Sequence, residues 1–171
     1  RFLLRAFSIA VSLHPALELA VVGGGPERDP LEDLARSLRI AAQVTFLGER
    51  PHRDLPALLA DCDLFLTASR TEVHPLSLIE AMAAGLPVVA VEGEGISETV
   101  QDGVNGLLSD DSPADFAEKI CRVARDPALG RRLATGAVQT AQAFDIRRVT
   151  QQHLEKFASL LSGERTAHGV G

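Results

Sequence analysis

Cysteine is scarce in this 171-residue chain. Only Cys62 and Cys121 are present, far apart and without a Cys-x-x-Cys or metal-ligand context around either. That excludes a disulfide-stapled scaffold and a cysteine-based metal centre, and the two residues read as buried thiols in a reducing, cytoplasmic compartment. No long apolar run suggests a transmembrane helix or a signal peptide, and whether the protein touches a membrane surface stays open. Lysine is nearly missing, two residues against fifteen arginines, and the net charge of −6 argues against nonspecific binding to nucleic acid. Internal repeats and low-complexity segments are also lacking. What remains is ordinary for one soluble domain with its own core: 46% hydrophobic and 23% charged residues. The expected domain covers residues 1–162, followed by a disordered tail over 163–171.

Helical and strand-like patterns alternate along the chain. Helices are expected over Phe2 to Leu13, Pro30 to Leu38 and Leu55 to Ala60, with strands at Leu17 to Val22, Val44 to Leu47 and Leu64 to Thr67. A helix ending near Gly85 comes next, then a buried strand at Val88 to Val91, a short helix from Ile96 to Gln101 and a strand at Gly106 to Leu108. Helices over Ala114 to Arg125, Pro127 to Ala143 and Ile146 to Leu161 complete the pattern. Such alternation implies an α/β fold: a Rossmann-like parallel sheet with right-handed crossovers and helices on both faces. Ligands in these folds lie beyond the carboxyl ends of the strands. That rule places Gly23 to Gly25, Gly48 to Arg50, Ser69 to His74 and Glu92 to Gly95 along one edge.

The most informative stretch on that edge runs from Ser69 to Ala90, where Glu72 precedes Glu80 by eight residues. Pro75, with φ fixed and no N–H to lose, suits the first position of a helix. The amides of Leu76, Ser77 and Leu78 then lack intrahelical partners, which makes the helix start an anion site. Glu80 falls on the face of Leu76 and Ser77, about one turn further in. The pattern fits a ligand with hydroxyls, then phosphates, then hydroxyls. The plainer alternative is a solvated Glu80 and an ordinary loop acid at Glu72.

Glu72, seven intervening residues, then Glu80-Ala-Met-Ala-Ala-Gly-Leu-Pro-Val-Val-Ala90 resembles the donor-site signature of the family-4 retaining glycosyltransferases. Those enzymes have the GT-B fold of two facing Rossmann-like domains. Leu19-Ala-Val-Val-Gly-Gly-Gly-Pro-Glu27, Val44-Thr-Phe-Leu-Gly48 and Ala60-Asp-Cys-Asp-Leu-Phe-Leu-Thr-Ala-Ser69 are similar to consecutive strand-end segments of that family. Gly95-Ile-Ser-Glu-Thr-Val-Gln-Asp-Gly-Val-Asn-Gly-Leu-Leu108 continues the order. The resemblance covers roughly Leu3 to Arg132 and implies the C-terminal, donor-binding half of such an enzyme, with extra C-terminal helices.

By that resemblance, Glu72 accepts hydrogen bonds from donor-sugar hydroxyls and carries the catalytic role. The Leu76 and Ser77 amides hold the diphosphate, and Glu80 binds the ribose diol through bidentate, charge-assisted contacts. The donor is a UDP-sugar or GDP-sugar, the sugar is hexose-type, the acceptor is a hydroxyl, the anomeric configuration is retained, and no metal is essential. Gly23 leaves two readings open, a tight turn or close backbone approach to the donor; Gly23-Gly-Gly-Pro26 is not the dinucleotide fingerprint. Arg50 stands where family members meet the base through main-chain atoms, so its side chain is either idle or a direct contact. His74, where many members have the Phe of Gly-Phe-Gly, either packs and caps or contacts sugar and phosphate.

The family's Gly-Arg motif on its first strand and the Lys before its first helix have no counterpart here, and Arg1-Phe-Leu-Leu-Arg-Ala-Phe7 reads as that helix already under way. The expectation is therefore a fragment, inactive by itself, without its first strand and without the N-terminal acceptor-binding domain. The alternative from another class is a non-catalytic nucleotide-binding or interaction module on the same fold.

Overall fold

The structure is a computed structural model that describes residues 1–69 and 76–144. The expected helix from Ile146 and the expected tail lie outside the described residues. In chain order the elements are α1 (Phe2–Leu13), β1 (Leu19–Val22), α2 (Arg28–Ser37), β2 (Val44–Gly48), a 3₁₀ turn (His52–Asp54), α3 (Leu55–Ala60) and β3 (Phe65–Thr67). They continue with α4 (Leu76–Ala83), β4 (Val88–Val91), α5 (Ile96–Thr99), β5 (Gly106–Ser109), α6 (Pro113–Arg125) and α7 (Pro127–Ala143). The α/β alternation expected from sequence is present.

The helix ends follow local chemistry. α6 and α7 each begin with proline, whose missing N–H costs nothing in a first turn. Ser112 accepts from the Asp115 amide, and Asp126 accepts from the amides of Ala128 and Leu129. Gly85, at φ 82°, closes α4: its N–H donates to the Met82 carbonyl and that of Leu86 to the Ala81 carbonyl, the crossed pair that satisfies a helix terminus. α5 is shorter than expected. Val100 turns extended, and the Thr99 carbonyl is taken by the amide of Asn105, which is fully buried and also reaches Thr140 Oγ1.

The strands run parallel, but the expected single sheet resolves as two: β1 pairs with β2, and β4 lies between β3 and β5. No strand ladder joins the two sheets, and α1 packs against both. Its Leu4 and Phe7 pack with Ala35, Ile40 and Val44 beneath the first sheet. Its Ala6 and Ala10 pack with Val89, Val91, Phe116 and Ile120 on the second. Burying Phe7 and Phe116 alone is worth about 2 to 3 kcal/mol each.

β4 shows why the second sheet is covered on both sides. Successive strand residues face opposite ways, and Val89 and Val91 enter the layer of α1 and α6 while Val88 and Ala90 enter that of α4 and α7. All four are buried, as a strand between two helix layers requires. Gly136 of α7 lies against the turn before β5, so closely that a Cβ there would stand 2.2 Å from the Val104 carbonyl oxygen. Among the described residues no helix is long and apolar enough to cross a membrane.

Candidate functional site

Parallel strands put the segments that follow them at one end of each sheet. At the end of β1, the Gly23 amide donates to the Gly48 carbonyl at 2.9 Å, tying the glycine turn to the end of β2. Gly23 and Gly25 adopt φ of 134° and 116°, which side chains disfavour, and no atom would meet a Cβ at either within 4 Å. At Gly24 a Cβ would lie 2.7 Å from Cγ of exposed Glu49, a side chain that would have to turn aside. The turn therefore presents bare backbone with open room over Gly23 and Gly25, and Glu49 flanks it.

At the end of β2, Arg50 is exposed. Arg28, in the first turn of α2, donates from Nη2 to the Phe46 carbonyl at 3.3 Å and from Nε to Glu32 at 2.9 Å. Its guanidinium thus backs the strand end but is already engaged. Arg53 is paired with Asp54 at 3.6 Å.

α4 supplies the other side. Leu78, Ala81 and Met82 bury one face of this helix, which leaves Leu76, Ser77 and Glu80 on the opposite face. Leu76 is 69% exposed and Ser77 is exposed. Glu80 is half-buried, and its Oε1 stands 3.5 Å from Nε2 of His52 in the turn after β2. That contact brings the end of the first sheet against the helix that follows the second, so both strand ends open onto one edge. Glu72, His74 and Pro75 lie outside the described residues.

The structure thus brings Gly23 together with Gly48 and Glu49, and Glu80 together with the β2 end two residues beyond Arg50. Sequence reasoning missed Glu49, His52 and Arg28. The first two sit in or just after the strand-end loop it had marked, and the reach of the Arg28 side chain across to β2 had no local signal.

Both thiols are free, and the expectation that both are buried is corrected: Cys62 is exposed and only Cys121 is buried. The turn after α3 leaves Cys62 on the surface, with Sγ 3.2 Å from the Leu58 carbonyl. Partial desolvation, with Asp61 and Asp63 adjacent, pushes its thiol above the ordinary value. Burial raises the Cys121 thiol too, partly countered by Arg125.

Comparison with known proteins places the chain in a family. Residues 1–140 match the family described as Glycosyl transferases group 1. Over 149 residues the chain is 38% identical to the D-inositol 3-phosphate glycosyltransferase of Corynebacterium kroppenstedtii, an alignment that covers 82% of this chain and 33% of that protein. Sucrose-phosphate synthase from Thermosynechococcus elongatus superposes with a TM-score of 0.81 at 28% identity, over 96% of this chain and 43% of that one. HepE from Anabaena, solved in complex with UDP-glucose, superposes with a TM-score of 0.79 at 31% identity, over 92% and 44%. The chain belongs to the group 1 glycosyl transferase family, with the α/β fold of GT-B enzymes. It spans about a third of the length of its relative from Corynebacterium.

Proposed function

We propose that this chain is the donor-binding half of a retaining glycosyltransferase that transfers a hexose-type sugar from a uridine diphosphate sugar to a hydroxyl acceptor. One observation carries the reading: half-buried Glu80 stands a turn below the exposed Leu76 and Ser77 and meets His52 in the turn after β2, the strand whose end is tied to the open glycine turn. On this reading Glu80 holds the ribose diol, the Leu76 and Ser77 amides hold the diphosphate, and Glu72 accepts from the donor sugar. Gly23 allows close approach of the donor, the main chain at Arg50 meets the base, and His74 touches sugar or phosphate. Uridine is favoured because HepE, at 31% identity, is described with UDP-glucose.

The chemistry is positioning together with stabilisation of the departing diphosphate, without an essential metal. A separate N-terminal domain holds the acceptor; the greater length of the relatives leaves room for one. The chain by itself binds nucleotide weakly and transfers nothing, a view supported by the engagement of Arg28 at the end of β2 with Glu32 and the Phe46 carbonyl. The two unpaired thiols favour a cytoplasmic setting.

Two single substitutions test the reading, because the acids act on different parts of the donor. Glu80→Ala weakens UDP and UDP-glucose alike, by about tenfold, the effect of losing hydrogen bonds to a charged group. Glu72→Ala spares UDP and weakens only UDP-glucose. Calorimetry on both variants decides the matter; a Glu80→Ala protein that binds UDP as the parent does defeats the proposal.

A further inference from the structure

We propose that His52 is a positioning residue for Glu80, one that fixes the carboxylate for the ribose hydroxyls and so sets the preference for ribonucleotide over deoxyribonucleotide. The inference rests on the reading that Glu80 receives the ribose diol.

The contact joins parts of the chain with no other reason to meet. His52 belongs to the turn after β2 in the first sheet, Glu80 to α4 after β3 in the second, and the turn and the helix share no extended packing. Yet Nε2 lies 3.5 Å from Oε1. The side chain of His52 is 79% exposed, so the contact adds little to stability. A feature that does little for the fold yet lies on the ligand edge is better explained by what it does to Glu80.

A glutamate on a helix face turns about several bonds, and a diol is gripped well only when both carboxylate oxygens are correctly aimed. An imidazole beside Oε1 limits the carboxylate to a narrower set of orientations. The contact engages Oε1, and on this reading Oε2 takes the ligand. Restricting the side chain before binding lowers the entropic cost of binding, which raises affinity without any new contact to the ligand. The benefit falls on the hydroxyls that Glu80 receives and on no other part of the nucleotide.

The test compares UDP with 2′-deoxyuridine diphosphate on the parent chain, Glu80→Ala, His52→Ala and His52→Gln, by calorimetry or NMR titration, with the thermal midpoint of each variant measured alongside. The parent prefers UDP by about tenfold, the scale of a hydrogen bond to a charged group. Glu80→Ala removes that preference. His52→Ala narrows it to about threefold at an unchanged midpoint, and His52→Gln, whose amide can donate to the carboxylate from the same turn, recovers most of it. If His52→Ala keeps the full preference while Glu80→Ala loses it, the positioning role is overturned and the ribose reading of Glu80 stands. If His52→Ala weakens both ligands equally, His52 acts on another part of the nucleotide and the inference is again overturned. If the parent shows no preference, or Glu80→Ala retains it, the ribose reading fails and the inference falls with it.

Discussion

Residues on the proposed ligand edge fall into two kinds, those the backbone requires and those the proposed chemistry uses. Gly23 and Gly25 serve through positive φ, while on the proposed reading Glu80 serves through its charge. Glu80 was legible in sequence because Pro75, the helix formers after it and Gly85 fix where α4 starts and stops, and that fixes its face. His52 was not legible, since a contact between two sheets depends on tertiary placement that no local spacing encodes. The cysteines teach the same lesson: the lack of a metal-ligand or Cys-x-x-Cys context suggested burial for both, but Cys62, between Asp61 and Asp63, falls on the turn after α3. In the native protein a disulfide reagent therefore labels one thiol per chain, Cys62, and in denaturant it labels both. The raised thiol of Cys62 keeps thiolate scarce at neutral pH, so its labelling rate goes on climbing through and above the ordinary thiol range. Native labelling of Cys121 at a comparable rate would contradict the burial described here.

Element by element, the boundaries agree to within about two residues, with or without a cap or a proline to mark them. α1 and α3 run over the residues the pattern names, and α7 begins at the proline behind its Asp126 cap. α2 begins two residues before Pro30, because the early helical amides need no partner and proline is tolerated there. The 3₁₀ turn that carries His52 has no apolar period to reveal it. Contact between α7 and the turn before β5 gives a prediction at this scale. Gly136→Ala would gain roughly 1 kcal/mol of helix propensity on an isolated helix. Here the added methyl meets the Val104 carbonyl at 2.2 Å, and overpacking prevails. The expected result is a net loss of about 1 to 3 kcal/mol in denaturant unfolding, with the denaturant slope unchanged. A stabilised variant would show that the turn moves aside freely.

For the whole molecule, the α/β alternation and the parallel direction of the strands were readable, because buried strands and amphipathic helices have different periods. The division into two sheets was not. How distant strands group into sheets is a long-range matter, and α1 takes over the connection through its two faces. Membership of the group 1 glycosyl transferases agrees with motifs spread over most of the chain. The central claim is that a nucleotide sugar lies across the carboxyl ends of both sheets, between the glycine turn and α4. Amide NMR of the 171-residue protein titrated with UDP tests this most directly. Shifts concentrated at Gly23 to Gly25, Gly48 to His52 and Leu76 to Glu80 are the predicted result. Shifts confined to the opposite end of the strands, around Leu19, Val44 and Val88, or none at millimolar UDP, would contradict it.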